Sequence, residues 1–244
     1  MNSIQKITLA TSVFLLALPA LTHAQDPSYD PKAKQILTDV SNTAKAYTSI
    51  TATFSITIKK ADGTSDVKNG SIVMKQCKYK ITLENKVKDV IKKEEYYNDG
   101  KTTWVYSEKD KEVNIDCYDP TKKKSENSIS PNDIFIIHEK GFKYKFIKEE
   151  IQNGKVVQLI DLYPEKPDKK NYSIVKVTID KVKKQIINVV FINKDGSTTT
   201  YTVKTFTANL EVADTTFQFD TKANPGVSVV DLREDDCKEQ PCKK

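Results

Sequence analysis

Histidine is almost missing from this chain. Of the two present, His23 falls in the leader described below, so only His138 remains. A Ser-His or Cys-His dyad would have to use it, with no Gly-x-Ser-x-Gly elbow beside any serine. Glycine is scarce as well: the seven in 244 residues stand at turn positions rather than in a phosphate-cradling loop. No Cys-x-x-Cys is present, and a single histidine leaves too few ligands for a metal centre. Adjacent carboxylates such as Glu94-Glu95 and Asp235-Asp236 look like solvated surface. No catalytic residue, metal or cofactor is therefore assigned, and the chain is read as a non-enzyme. Internal repeats, low-complexity stretches and an inter-domain linker are also lacking, which favours one large domain over two.

Long apolar runs are confined to the start. Lys6 precedes an apolar stretch from Ile7 to Leu21, broken by Pro19 and followed by Thr22-His23-Ala24. The stretch is shorter than the ~20 residues of a spanning helix, so 1–24 reads as a secretory signal peptide rather than an anchor. No cysteine stands at the expected cleavage point, so lipid modification there is not expected. The mature product should be soluble beyond the cytoplasmic membrane. The formal charge of +6 falls to +5 with loss of Lys6. The lysines are scattered over alternating strand positions, which argues for a solvated face and against a nucleic-acid partner.

Four cysteines, Cys77, Cys117, Cys237 and Cys242, would sit in a disulfide-permitting compartment. Cys237 and Cys242 are close in a charged tail, where a local loop closure is one option. Cys77 and Cys117 would then form a cross-strand pair or stay as buried thiols. Four cysteines allow three pairings, and spacing does not choose among them.

Asp30-Pro31 is an N-cap followed by a first-turn proline. Ala33, Ile36, Leu37, Val40, Ala44 and Tyr47 then recur at helical spacing, which predicts an amphipathic helix. From Ile50 the period becomes two. Ile50, Ala52, Phe54, Ile56 and Ile58 alternate with threonines and a serine, Asp62-Gly63 turns the chain, and Asn69-Gly70 starts the next strand. Further strands are predicted at 78–83, 91–97, 102–106 and 112–118. Asp99-Gly100 between two of them suits a two-residue type I′ turn with both positions at positive φ. After a polar loop, Ser130-Pro131 and Gly141 bracket a second short helix carrying Ile134, Phe135, Ile136, Ile137 and His138. That helix is apolar on more than one face; His138 reads as a helix-end or core residue. Strands resume at 142–146, 156–162, 172–180, 185–192 and 198–207. So many sequential hairpins call for curling. The fold class is mainly β: a strongly curved antiparallel sheet, an unclosed barrel, with helices covering an apolar concave face.

Three segments resemble the periplasmic outer-membrane lipoprotein carrier family, LolA. They are Ala52-Thr53-Phe54, the run Asp99 to Tyr106, and Phe217-Gln218-Phe219 followed by Asn224 to Arg233. The resemblance spans nearly the whole mature chain and implies an open barrel with a helical lid over an apolar cavity, across residues 25–233. A charged cysteine-containing tail, 234–244, is extra. It further implies a monomeric periplasmic carrier that takes acylated lipoproteins from an inner-membrane ABC transporter and passes them to an outer-membrane acceptor. Acyl chains gain ~0.8 kcal/mol per buried CH₂, so full burial of three chains would pass the practical ceiling of about 18 to 21 kcal/mol and prevent release. A carrier therefore needs partial burial.

The acyl-lining residues implied are Phe54, Ile56, Ile58, Ile72, Met74, Tyr79, Ile81, Leu83, Trp104 and Tyr106. Those implied for the lid are Ile36, Leu37, Val40, Ile134, Phe135 and Ile137. Well-studied members carry an arginine after Val-Lys that couples to the lid. Here Met74-Lys75-Gln76-Cys77-Lys78 puts Gln76 or Cys77 there, so lid control must run through Gln76, a neighbouring lysine or apolar contact. Two other readings compete: a periplasmic lipoprotein sensor acting on a membrane anti-sigma factor, and a structural β-domain whose aromatics fill an ordinary core.

Overall fold

Asp30 opens helix α1 (Pro31–Ala46) as expected, its carboxylate accepting from the backbone N–H of Lys32 at 2.8 Å and Ala33 at 3.3 Å. The other carboxylate oxygen accepts from the N–H of Phe146 at 3.0 Å, so one side chain both caps the helix and fastens it to a strand far away in sequence. The computed structural model describes residues 29–87, 89–120, 141–233 and 237–238. The predicted leader and the helix predicted around Ile134, Phe135 and Ile137 lie outside the described residues. No helix among the described residues is long and apolar enough to cross a membrane.

The strands are β1 (Ile50–Lys59), β2 (Ser65–Lys75), β3 (Lys78–Val87), β4 (Val90–Asn98), β5 (Thr102–Ser107) and β6 (Glu112–Cys117), then β7 (Phe142–Gln152), β8 (Lys155–Pro164), β9 (Tyr172–Asp180), β10 (Gln185–Asn193), β11 (Thr198–Ala208) and β12 (Ser228–Asp231). They form one sheet in the order β12-β6-β5-β4-β3-β2-β1-β11-β10-β9-β8-β7. The first meander starts at β1 and runs outward to β6. The second starts at the opposite edge and returns to pair β11 with β1. The sheet is strongly curved and is not closed into a barrel. Among the named strands one pair is parallel, β12 on β6, which the sequence pattern does not anticipate; β12 is only four residues long.

Curvature has a local cause in the second meander. Ile147 on β7, Ile187 on β10 and Lys204 on β11 are each an extra residue opposite an unbroken partner strand. Such bulges bend the bulged strand and increase its twist. This half of the sheet wraps around α1, where Leu37, Val40, Tyr144, Ile160, Leu162, Val177 and Val189 belong to one core cluster.

Two turn expectations are corrected. Between β4 and β5 only Gly100 has positive φ, +92°, so the connection is not a type I′ pair. Asp99 acts instead through its side chain, accepting from the N–H groups of Lys101 and Thr102 at 2.9 and 2.8 Å. Asn69-Gly70, expected at a strand start, lies inside β2, which already begins at Ser65.

Candidate functional site

Residues directly opposite in an antiparallel pair project to the same face, so register assigns every side chain in the first meander. Ile50, Ala52 and Phe54 of β1 stand opposite Met74, Ile72 and Gly70 of β2. Met74, Ile72 and Gly70 in turn stand opposite Tyr79, Ile81 and Leu83 of β3. Phe54, Ile56, Ile58, Ile72, Met74, Tyr79, Ile81 and Leu83 therefore share one face. It is the face α1 occupies in the other half of the sheet, because Phe54 and Ile56 are opposite Val203 and Tyr201, and Tyr201 is opposite the core residue Val189. Met74 is buried and the other seven are half-buried. Among the described residues, none of the eight belongs to the two core clusters.

Trp104 and Tyr106 are on the reverse face, a correction to the single inward-facing set. Trp104 is opposite Tyr97, and Tyr97 is opposite Lys80, whereas Tyr79 and Ile81 are opposite Asn98 and Tyr96. The residues of β5 that do share the face of Ile81 are Thr103 and Val105. Hydrophobicity misled the reading here, because the bulkier aromatics lie on the side that another segment covers. Tyr97 and Val113 form a second core cluster with Phe219, against which Trp104, Tyr106 and Val227 pack. The Phe219 ring lies 4.9 Å from that of Tyr106 and 5.9 Å from that of Tyr97, centroid to centroid. Burial first, and then a 2.8 Å hydrogen bond donated to Glu95, push the Tyr97 hydroxyl well above its usual range. Trp104 and Tyr106 thus pack, partly buried, against the Phe219 cluster on the reverse face.

Gly70 was not singled out for the face, yet it shapes it. A Cβ there would lie 2.6 Å from Cζ of Phe54 and 3.0 Å from Cδ2 of Leu83, so the Phe54 ring rests on bare backbone. Tyr96, Glu94 and Asn85, also missed, end the apolar area with a polar cluster. The Tyr96 hydroxyl donates to Glu94, and Asn85 donates to the other Glu94 oxygen at 3.3 Å. Burial, followed by that bond to Glu94, raises the Tyr96 hydroxyl. Asn85 Oδ1 is buried with no donor among the described residues. Only the β3–β4 register would have disclosed this grouping.

Of the proposed lid residues on α1, Leu37 and Val40 are each 2 % exposed and Ile36 packs partly buried beside them. They are packed against the second meander rather than poised over the first. A cleft between α1 and β10, lined by Val40, Ala44, Tyr47, Ile186 and Phe206 among others, encloses about 10 Å³, room for about one water and too little for an acyl chain. Gln76 is exposed at the tip of the β2–β3 hairpin with φ +56°. The lysines on either side reach across instead: Lys75 and Lys78 each lie 2.8 Å from an Asp214 oxygen. Hydrogen bonds from Lys75 and Lys78 hold the Asp214 carboxyl down to about 2.

The suggested Cys237–Cys242 closure is overturned. Cys237 is bonded to Cys117 at the end of β6, 120 residues away in sequence, and Cys77 is also in a disulfide. Local spacing was a poor guide because the chain returns to β6 through β12.

The model of the family described as "Outer membrane lipoprotein carrier protein LolA" matches residues 45–220. No curated protein matches the sequence. Among solved structures, an uncharacterized conserved protein from Thermus thermophilus is similar at TM-score 0.53 and 10 % identity, over 82 % of this chain and 99 % of that one; the likeness is one of fold. Weaker likenesses are to a LolA superfamily protein from Nitrosomonas europaea (TM-score 0.38, 10 % identity, 78 % and 98 % covered) and to LprF from Mycobacterium bovis (TM-score 0.45, 14 % identity, 76 % and 97 % covered).

Proposed function

Since the chain belongs to the outer membrane lipoprotein carrier protein family LolA, we propose that it is a carrier that shields lipoprotein acyl chains on the concave face of β1–β3. The observation that supports this reading is the unequal filling of that face. Where α1 lies, the face is closed into a core; on β1–β3 it presents Phe54, Ile56, Ile58, Ile72, Ile81 and Leu83 half-buried and outside both core clusters. A continuous apolar area of this kind is suited to binding rather than to plain solvation.

Partial cover is also what a carrier requires. At ~0.8 kcal/mol per buried CH₂, a chain lying along a half-buried sheet face is held by part of its surface only and can be passed on. In this reading the protein works in the periplasm without chemical catalysis. It accepts cargo from an inner-membrane ABC transporter and delivers it to an outer-membrane acceptor.

Neighbouring residues on opposite faces provide the test. Purified protein is incubated with inner-membrane vesicles carrying an acylated lipoprotein or its non-acylated form, and released cargo is measured. The wild type should release only the acylated form. Ile72→Asp should reduce release at least tenfold, and Val73→Asp, on the reverse face, should leave it nearly unchanged. Equal handling of both cargo forms, or equal effects of the two substitutions, would refute the proposal.

A further inference from the structure

The two most exposed large apolar side chains among the described residues are Val182, 83 % exposed, and Ile151, 74 % exposed. They stand on adjacent hairpin tips. Ile151, next to last on β7, stands opposite Val156, and the N–H of Lys181, which begins the β9–β10 turn, donates to the Val156 carbonyl at 3.1 Å. One carbonyl therefore links both tips. Neither aliphatic serves the turn beneath it: Asn153 and Gly154, with φ +49° and +74°, make the first turn, and Asp180 makes the second by accepting from the N–H groups of Val182 and Lys183.

The charges around these tips are arranged asymmetrically. The nearby carboxylates are occupied: Glu149 by Lys181 at 2.7 Å and by Gln158, Glu150 by Lys148 and Gln152, and Asp39 of α1 by Lys184 at 2.9 Å and by Gln35. Lys155 and Lys183 are exposed with no carboxylate in ion-pair reach among the described residues. The two tips thus carry two bare aliphatics and two lysines with no carboxylate partner among the described residues. Exposed single aliphatics are ordinary on protein surfaces; two on neighbouring tips that also carry Lys155 and Lys183 are complementary to a surface that is anionic outside and apolar a few ångströms below.

We propose that this pair of hairpin tips docks the protein on an anionic lipid surface, Val182 and Ile151 entering the interfacial layer while Lys155 and Lys183 meet lipid phosphates. The contact is weak and reversible, since only two lysines and a small apolar area meet the surface. It is separate from the β1–β3 face, so a docked molecule keeps that face available.

Full-length mature protein is co-sedimented with vesicles of phosphatidylcholine alone and with vesicles containing phosphatidylglycerol, at low and at high salt. Binding should be confined to the anionic vesicles and fall severalfold at high salt. Val182→Ser/Ile151→Ser and Lys155→Glu/Lys183→Glu should each lower it about tenfold; both pairs are at exposed tips, and circular dichroism should be unchanged. Equal binding to both vesicle types, or wild-type binding by both variants, overturns the proposal. The carrier reading is scored separately by lipoprotein release, so either can fail alone.

Discussion

Gly70 shapes the apolar face more than any side chain beside it. The Phe54 ring occupies the space that a Cβ would take, with Leu83 as the next neighbour. In a strand, glycine to alanine ordinarily stabilises by roughly 0.5–1 kcal/mol through the unfolded chain. Here Gly70→Ala should instead destabilise by about 1–2 kcal/mol in urea unfolding, because overpacking forces the ring off its seat. In a Phe54→Leu background the same change should be neutral or stabilising, and that non-additivity is the measurement that isolates the contact. The alternation of Phe54, Ile56 and Ile58 was legible from the chain alone. Gly70 was not, since Asn-Gly is a common turn pair and only the β1–β2 register places it beneath an aromatic ring.

Helix α1 was readable down to its cap, but its role changes from lid to core. Apolar residues at helical spacing predict a buried stripe equally well for either role. The difference lies in what the stripe meets, and α1 meets bulged strands that curve around it. Asp30 makes the attachment pH-dependent. Burial pulls its carboxyl up, but the N–H groups of Phe146, Ala33 and Lys32 outweigh burial and hold it below the ordinary value. A carboxyl lowered on folding contributes stability above its unfolded pKa and loses it as pH falls through the folded one. Asp30→Ala should therefore cost about 1 kcal/mol at neutral pH, and the wild-type and variant stabilities should converge in acid. A constant difference at all pH values would mean that the charge is not the source.

The two edges of the sheet are finished differently. Residues 29–30 lie along β7, with Asp30 N–H donating to the Tyr144 carbonyl at 3.1 Å. The other edge is finished by β12, tied beyond its end by Cys117–Cys237. Closing a loop of more than 100 residues limits the unfolded chain strongly, by up to roughly 4–5 kcal/mol in the entropic account. Cys117→Ser/Cys237→Ser should lower stability by about 2–5 kcal/mol. Hydrogen exchange should quicken first at the amides of Ser228 and Leu232, which pair with Lys111 and Ile115. If those amides stay as protected as in the wild type, β12 is held by its ladder to β6 without help from the disulfide.

Local physics was enough for β1 to β11, the first helix and its cap, and the alternation of apolar residues, because periodicity and capping depend on neighbours within a few positions. Which aromatics share a face, which half of that face α1 fills, and which cysteine meets Cys117 depend on register between strands and on chain return over a hundred residues. Trp104 shows the difference most plainly. Its alternation with Val105 is written in the chain, but the side on which it lies follows from its being opposite Tyr97, and its partial burial from the distant segment around Phe219. Those are long-range pairings, whose cost and reward exist only once the sheet is assembled.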